Sequence, residues 1–153
     1  MPKKETIECA RRAEREGKSA STQAGEFVRE EIEAIRKGEH GARSTKQAIA
    51  IGLSKARRAG VKLPVPEKGS LPEKTREQAK RELTEAEKGQ THNPSRKRSQ
   101  ATLNALKREG RAAASKVALA KHSRALARRR TSAQRSASAK KAARTRKAHT
   151  RQP

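Results

Sequence analysis

Only 18 of the 153 residues are Leu, Ile, Val or Phe, and Phe27 is the single aromatic. That share, about 12%, goes with a formal net charge of +24. Such a chain buries too little apolar area to offset the ordering entropy of its whole length, so one large core is excluded. The expected form is a modest helical body with tails.

The charges divide the chain further. Residues 1–90 hold 21 Lys/Arg and 15 Glu, residues 91–110 hold 5 against Glu109 alone, and residues 111–153 hold 14 and no acid. A basic arm on a mixed-charge body points to a polyanionic partner. All 16 acids are Glu, so any site that requires an Asp is ruled out. Cys9 stands alone, which removes the disulfide-stapled class. The longest apolar run, residues 48–53, is far short of a transmembrane span of about 20 residues or a signal-peptide core. The expectation is a cytoplasmic protein with no membrane partner.

Glycine punctuates the chain at Gly17, Gly38, Gly60, Gly89 and Gly110, each after a stretch compatible with helix. This predicts helices ended by left-handed glycine caps. Residues 1–19 read as a weakly ordered segment. Over 22–37 the wheel gathers Ala24, Phe27, Val28, Ile32 and Ile35 on one face, with Arg29, Glu30, Glu33 and Lys37 toward solvent. Over 45–59, Ser44 and Gln47 form a capping box, and Val61 stands where a Schellman motif places its hydrophobic contact. The middle of that helix's face is small (Ala48, Gly52, Ala56, Ala59), flanked by Ile49, Ile51 and Leu53, which allows close approach of the first helix. These features predict a helical hairpin over 20–63, with a homo-oligomer through its helices as one way to cover an Ala/Ile face.

Leu63-Pro64-Val65-Pro66 reads as a semi-rigid spacer. Ser70 and Glu73 read as a second capping box, opening a charged, solvent-bridging helix to about Lys88. Asn93-Pro94 opens another segment to Gly110. Beyond Gly110 the polycation repels itself, and the expectation is disordered or nascent helix. The predicted architecture is thus all-α: a weakly ordered segment (1–19), a short helical hairpin (20–63), a Pro-containing spacer and charged helix (64–90), and a largely disordered or nascent-helical basic arm (91–153).

No catalytic constellation is visible. His40, His92, His122 and His149 lie far apart, none at metal-ligand spacing with another His or Cys, and read as solvated loop or tail residues. Both phosphate-loop patterns are absent. Glu30 and Glu31 read as part of a solvated face. These observations predict no enzyme, metal, cofactor or small-molecule ligand.

The basic residues are the strong signal. Arg128, Arg129 and Arg130, with Lys121, Arg124, Lys140, Lys141, Arg144, Arg146 and Lys147, can follow a phosphate backbone. Arg96, Lys97 and Arg98 extend the set, and Arg57 and Arg58 are candidate contacts from the hairpin. The arm has no aromatics to stack on bases, and no zinc-finger spacing or long heptad repeat is present. Binding should be electrostatic and largely independent of sequence, with DNA favoured over RNA. A nucleoid-associated, histone-like role is the leading expectation. An RNA- or ribosome-associated basic protein, or a protein-interaction module with a localising tail, are the alternatives.

Two stretches carry resemblances. GEHGARSTKQAIAIGLSKARRAG (38–60) resembles the motif of a family of small, basic, uncharacterised bacterial proteins. Its signature is a KQAIAIALSEA-type helix after a Gly- and Lys-rich loop. Lys46 to Ser54 match closely; Gly52 replaces the usual Ala, and Lys55 stands where an acid is common. The resemblance implies no activity. The Ala/Lys/Arg/Ser tail is similar in composition to linker-histone tails and to bacterial histone-like proteins that carry them.

Overall fold

A computed structural model describes residues 2–69, 71–89 and 95–149. These residues form helices α1 (Lys4–Arg15), α2 (Ala20–Lys37), α3 (Thr45–Arg58), α4 (Glu73–Glu87), α5 (Arg96–Lys107), α6 (Lys116–Arg129) and α7 (Ser132–His149), with a 3-10 turn at Ala112–Ala114. No strand occurs among them. The chain divides into two units, the first ending at Ser115 and the second beginning at Lys116.

In the first unit, α2 and α3 pair as the hydrophobic pattern requires. Ala24, Phe27, Ile32 and Ile35 are buried from α2, and Ala48, Gly52 and Ala56 from α3. The approach is close: a Cβ on Gly52 would stand 2.7 Å from the Cα of Val28. Ser44 accepts the Gln47 amide at 3.2 Å, while the Gln47 side chain takes the Arg43 amide at 2.8 Å, so the capping box is displaced by one residue. At the other end Gly60 donates to Arg57 O and Val61 to Ala56 O, the two bonds of a Schellman motif. Val61 and Leu63 then turn back into the core, so the segment before the prolines is a wall of the hairpin as well as an exit from it.

The N-terminal residues depart from expectation. They form α1, which packs on α2 through Ala10 and Ala13, with Ile7 against the cluster of Ala10, Ala24, Phe27, Ala56, Val61 and Leu63. Small residues meeting around one Phe make a core out of very little apolar side chain. Burying Phe27 contributes about 1.5–3 kcal/mol. Ile49, Ile51 and Leu53, which flank the small-residue stripe of α3, are half-buried.

α4 begins at Glu73, after Pro72, without a side-chain cap; the expected box to Ser70 lies outside the described residues. It is more than a solvent bridge, because Ala79 and Glu82 are buried where it packs on α3. α5 begins at Arg96 and ends at Lys107; Asn93-Pro94 lies outside the described residues, and Gly110 is not a left-handed cap.

Residues 106–114, which charge alone assigns to the arm, hydrogen-bond to the hairpin. Gly41 N donates to Leu106 O at 2.9 Å, Ala42 N to Gly110 O at 3.1 Å, Arg36 Nε to Ala114 O at 2.8 Å, and the Thr45 hydroxyl to Ala113 O at 2.7 Å. Ala114 is fully buried. Glycine at 41 is what lets the two backbones meet, since a Cβ there would overlap the Glu109 carbonyl and lie 2.8 Å from Gly110 O. Gly41→Ala should therefore release this docking at a cost of about 1–3 kcal/mol. Hydrogen exchange checks it: the Gly41 and Ala42 amides should lose protection while those around Phe27 keep theirs.

Candidate nucleic-acid interface

The second unit supplies the cations. Residues 116–149 hold 12 Lys/Arg and no acid. The sequence-predicted Lys121, Arg124, Arg128, Arg129, Arg130, Lys140, Lys141, Arg144, Arg146 and Lys147 are all exposed. On α6, Lys121, Arg124 and Arg128 fall within about 60° of one another at 100° per residue, opposite the side of Leu119 and Leu126. On α7, Arg135, Lys140, Lys141, Arg144, Arg146 and Lys147 leave no gap wider than about 120° around the helix. The start of α7 carries a capping box that was not anticipated: Gln134 N donates to the Thr131 hydroxyl at 3.2 Å, and Thr131 N to Gln134 Oε1 at 3.0 Å. The T-x-x-Q spacing was the available signal.

The remaining predicted cations lie in the first unit. Arg96, Lys97 and Arg98 are exposed on the first turn of α5, and Arg58 is exposed at the end of α3. Arg57 is turned inward. It is 9% exposed, with Nη1 3.9 Å from Glu82 Oε2 on α4, and the Ser54 hydroxyl and Gln78 amide bond the other Glu82 oxygen. Reading α4 as solvent-bridging left Arg57 without this partner.

A second buried polar group overturns the reading of Glu30 and Glu31 as solvated. Glu30 is 9% exposed and Glu31 fully buried. Lys55 Nζ stands 2.7 Å from Glu31 Oε2 and 3.5 Å from Glu30 Oε1. His40 is likewise no solvated loop residue: Nε2 is 3.4 Å from Glu31 Oε1 and Nδ1 is 3.1 Å from Gly41 O. The Glu31 oxygens have no other hydrogen-bond partner, so the Lys55 ammonium and the His40 ring are what hold a buried carboxylate. His92 is outside the described residues; His122 is half-buried on α6.

Burial works against the charged form of Glu30, but the Thr6 hydroxyl, the Lys3 N–H (3.0 Å) and the Lys55 ammonium outweigh it and hold the carboxyl below its usual 4.5. A carboxylate lowered in the folded state contributes stability that is complete above its unfolded value and lost as pH falls through its folded value. The melting temperature should therefore drop below pH 4.5, and Glu30→Gln should drop less over the same interval.

Among the described residues no group of three or more His, Cys, Asp or Glu side chains is placed to hold a metal ion. No helix among them is long and apolar enough to cross a membrane.

The molecule is thus a strongly basic, all-helical protein, with a helical unit built around Phe27 and a separate cationic helical unit. Residues 6–68 match a family of unknown function (DUF6496), a stretch that runs from α1 through the segment after α3. No curated protein and no solved structure matches the chain.

Proposed function

We propose that the protein binds nucleic acid, DNA in preference to RNA, by non-specific electrostatic contact through its cationic C-terminal helices, in a histone-like role on the nucleoid. One observation carries this reading: 12 exposed or terminal cations over residues 116–149 with no acid among them. Such a surface carries a self-repulsion that phosphate relieves, and it has no aromatic with which to read bases. In its composition the arm is similar to linker-histone tails. Free in solution it is largely disordered or nascent-helical, and α6 and α7 are its form against a polyanion, since isolated helices of 14 and 18 residues are marginal in water. The cations around α7 suit contact with more than one duplex segment, hence compaction.

Anisotropy of a labelled duplex of about 30 base pairs, titrated at several salt concentrations, tests the reading. With about eight phosphates neutralised, log K should fall against log salt with a slope of about −7. A structured RNA competing better than duplex at matched salt would reverse the DNA preference. Absence of binding to both near physiological salt would refute the reading.

A further inference from the structure

Lys37 closes α2, Lys107 closes α5, and Arg111 follows Gly110. The docking of residues 106–114 on the hairpin loop brings these three, from distant parts of the sequence, to the edge of one open cleft of about 420 Å³, with Gly38, His40 and Glu109 also lining it. Arg111 Nη1 reaches to 3.4 Å from the point where a Cβ would project from Gly38. The Arg111 side chain thus lies in van der Waals reach of the α2 cap at Gly38.

All three cations are exposed, and among the described residues none of them forms a hydrogen bond or ion pair through its side chain. Glu109 lines the same cleft and is within ion-pair distance of none of them. A helix dipole accounts for a Lys in the last turn of α2 and, separately, for one in the last turn of α5. It does not account for their meeting with Arg111, which lies outside both helices. Two carbonyls of the last turn of α2, those of Ile35 and Ala34, are already taken by the Gly38 and Glu39 amides (3.1 and 3.0 Å). Three cations against the single carboxylate of Glu109 in one concavity raise the local concentration of anions, and a planar guanidinium with two ammonium groups on the same cleft suits the oxygens of a phosphate.

We propose that this cleft is a phosphate-binding site that takes a backbone phosphodiester of nucleic acid, a contact made by the helical unit independently of the arm. The cleft can hold phosphate whether or not the cationic helices bind duplex, so the two readings fail separately.

The test uses isotope-labelled full-length protein and its Lys37→Gln/Lys107→Gln/Arg111→Gln variant. With pyrophosphate, the Gly38, Gly110 and Arg111 amides of the native chain should shift saturably and those of the variant should not. With duplex DNA, the variant's salt slope should be flatter by about one, because the slope counts phosphates neutralised and the cleft holds one. An unchanged melting temperature shows that the variant is folded, and Lys107→Gln alone, expected to weaken the pyrophosphate affinity by a factor of about three or more, gives a second variant. Pyrophosphate shifts confined to α6 and α7, or no shifts, would overturn the site. Saturable cleft shifts with an unchanged duplex slope would overturn the backbone contact and assign the cleft to a free phosphate compound.

Discussion

Lys55→Met is expected to destabilise the helical unit by about 3–5 kcal/mol, the range for removing one partner of a buried ion pair. Lys55 is the ammonium that faces both Glu30 and Glu31, and Glu31 is wholly out of water with no hydrogen-bond partner. Methionine fills much the same space as the lysine stem, so the loss reports charge and not packing. Two carboxylates would remain, with the His40 ring nitrogen 3.4 Å from Glu31. For a unit of roughly 100 residues this corresponds to a fall in Tm of roughly 15–30 °C. Adding Glu31→Gln should recover a substantial part, because the costly species is the stranded carboxylate. Denaturant unfolding of the single and double variants measures this. A Lys55→Met loss below about 1 kcal/mol would show that water reaches the pair.

Gly52→Ala is the second large effect, and its sign is informative. In an isolated helix the change gains about 1 kcal/mol, because alanine is the better helix former. Here the new methyl would lie 2.7 Å from the Val28 Cα and 3.0 Å from its amide nitrogen, and backbone cannot rotate aside as a side chain does. The helices must part, so the expected result is a net loss of about 1–3 kcal/mol, with Gly52→Val losing more. Thermal unfolding decides it. A rise in Tm would mean that the α2–α3 contact is looser than the distances imply.

The hairpin was legible in the sequence because its signals are local and mutually consistent. The Ser44 cap, the Gly60-Val61 ending and the small-residue stripe from Ala48 to Ala56 each point to the same helix and the same buried face. Glu31 was also legible in principle, since it lies four residues from both Phe27 and Ile35 and hence in the middle of their face. Its residue type argued against burial, and its partner Lys55 comes from another helix. Glu30 could not be placed that way, because what covers it is the start of α1, and α1 has too few large apolar residues to announce a packed helix.

The limit of the first unit was hidden for a different reason. Residues 95–115 share the basic composition of residues 116–149, and what sets 106–114 apart is that their backbone carbonyls accept from the Gly41 and Ala42 amides and the Arg36 and Thr45 side chains, together with the burial of Ala114. Hydrogen bonds between main chains leave almost no trace in residue type. The same holds for the cleft, whose cations meet only because this docking occurs. The cations of the arm were the reverse case: charge is a property of composition, so every arm Lys and Arg named from sequence is exposed in the structure, whereas Arg57, a single helix position, turned inward against Glu82.

The central claim is that the cationic helices carry the binding. The most direct measurement sets full-length protein beside residues 1–115 on the same labelled duplex, across the same salt series. The cut belongs after Ser115 because an earlier one removes the Leu106, Gly110 and Ala113 carbonyls that bond the hairpin. The predicted result is a steep slope for the full chain and, for residues 1–115, a slope no steeper than about −3 with far weaker binding at every salt. Equal affinity and equal slope for the two would contradict the account and place the binding in the helical unit.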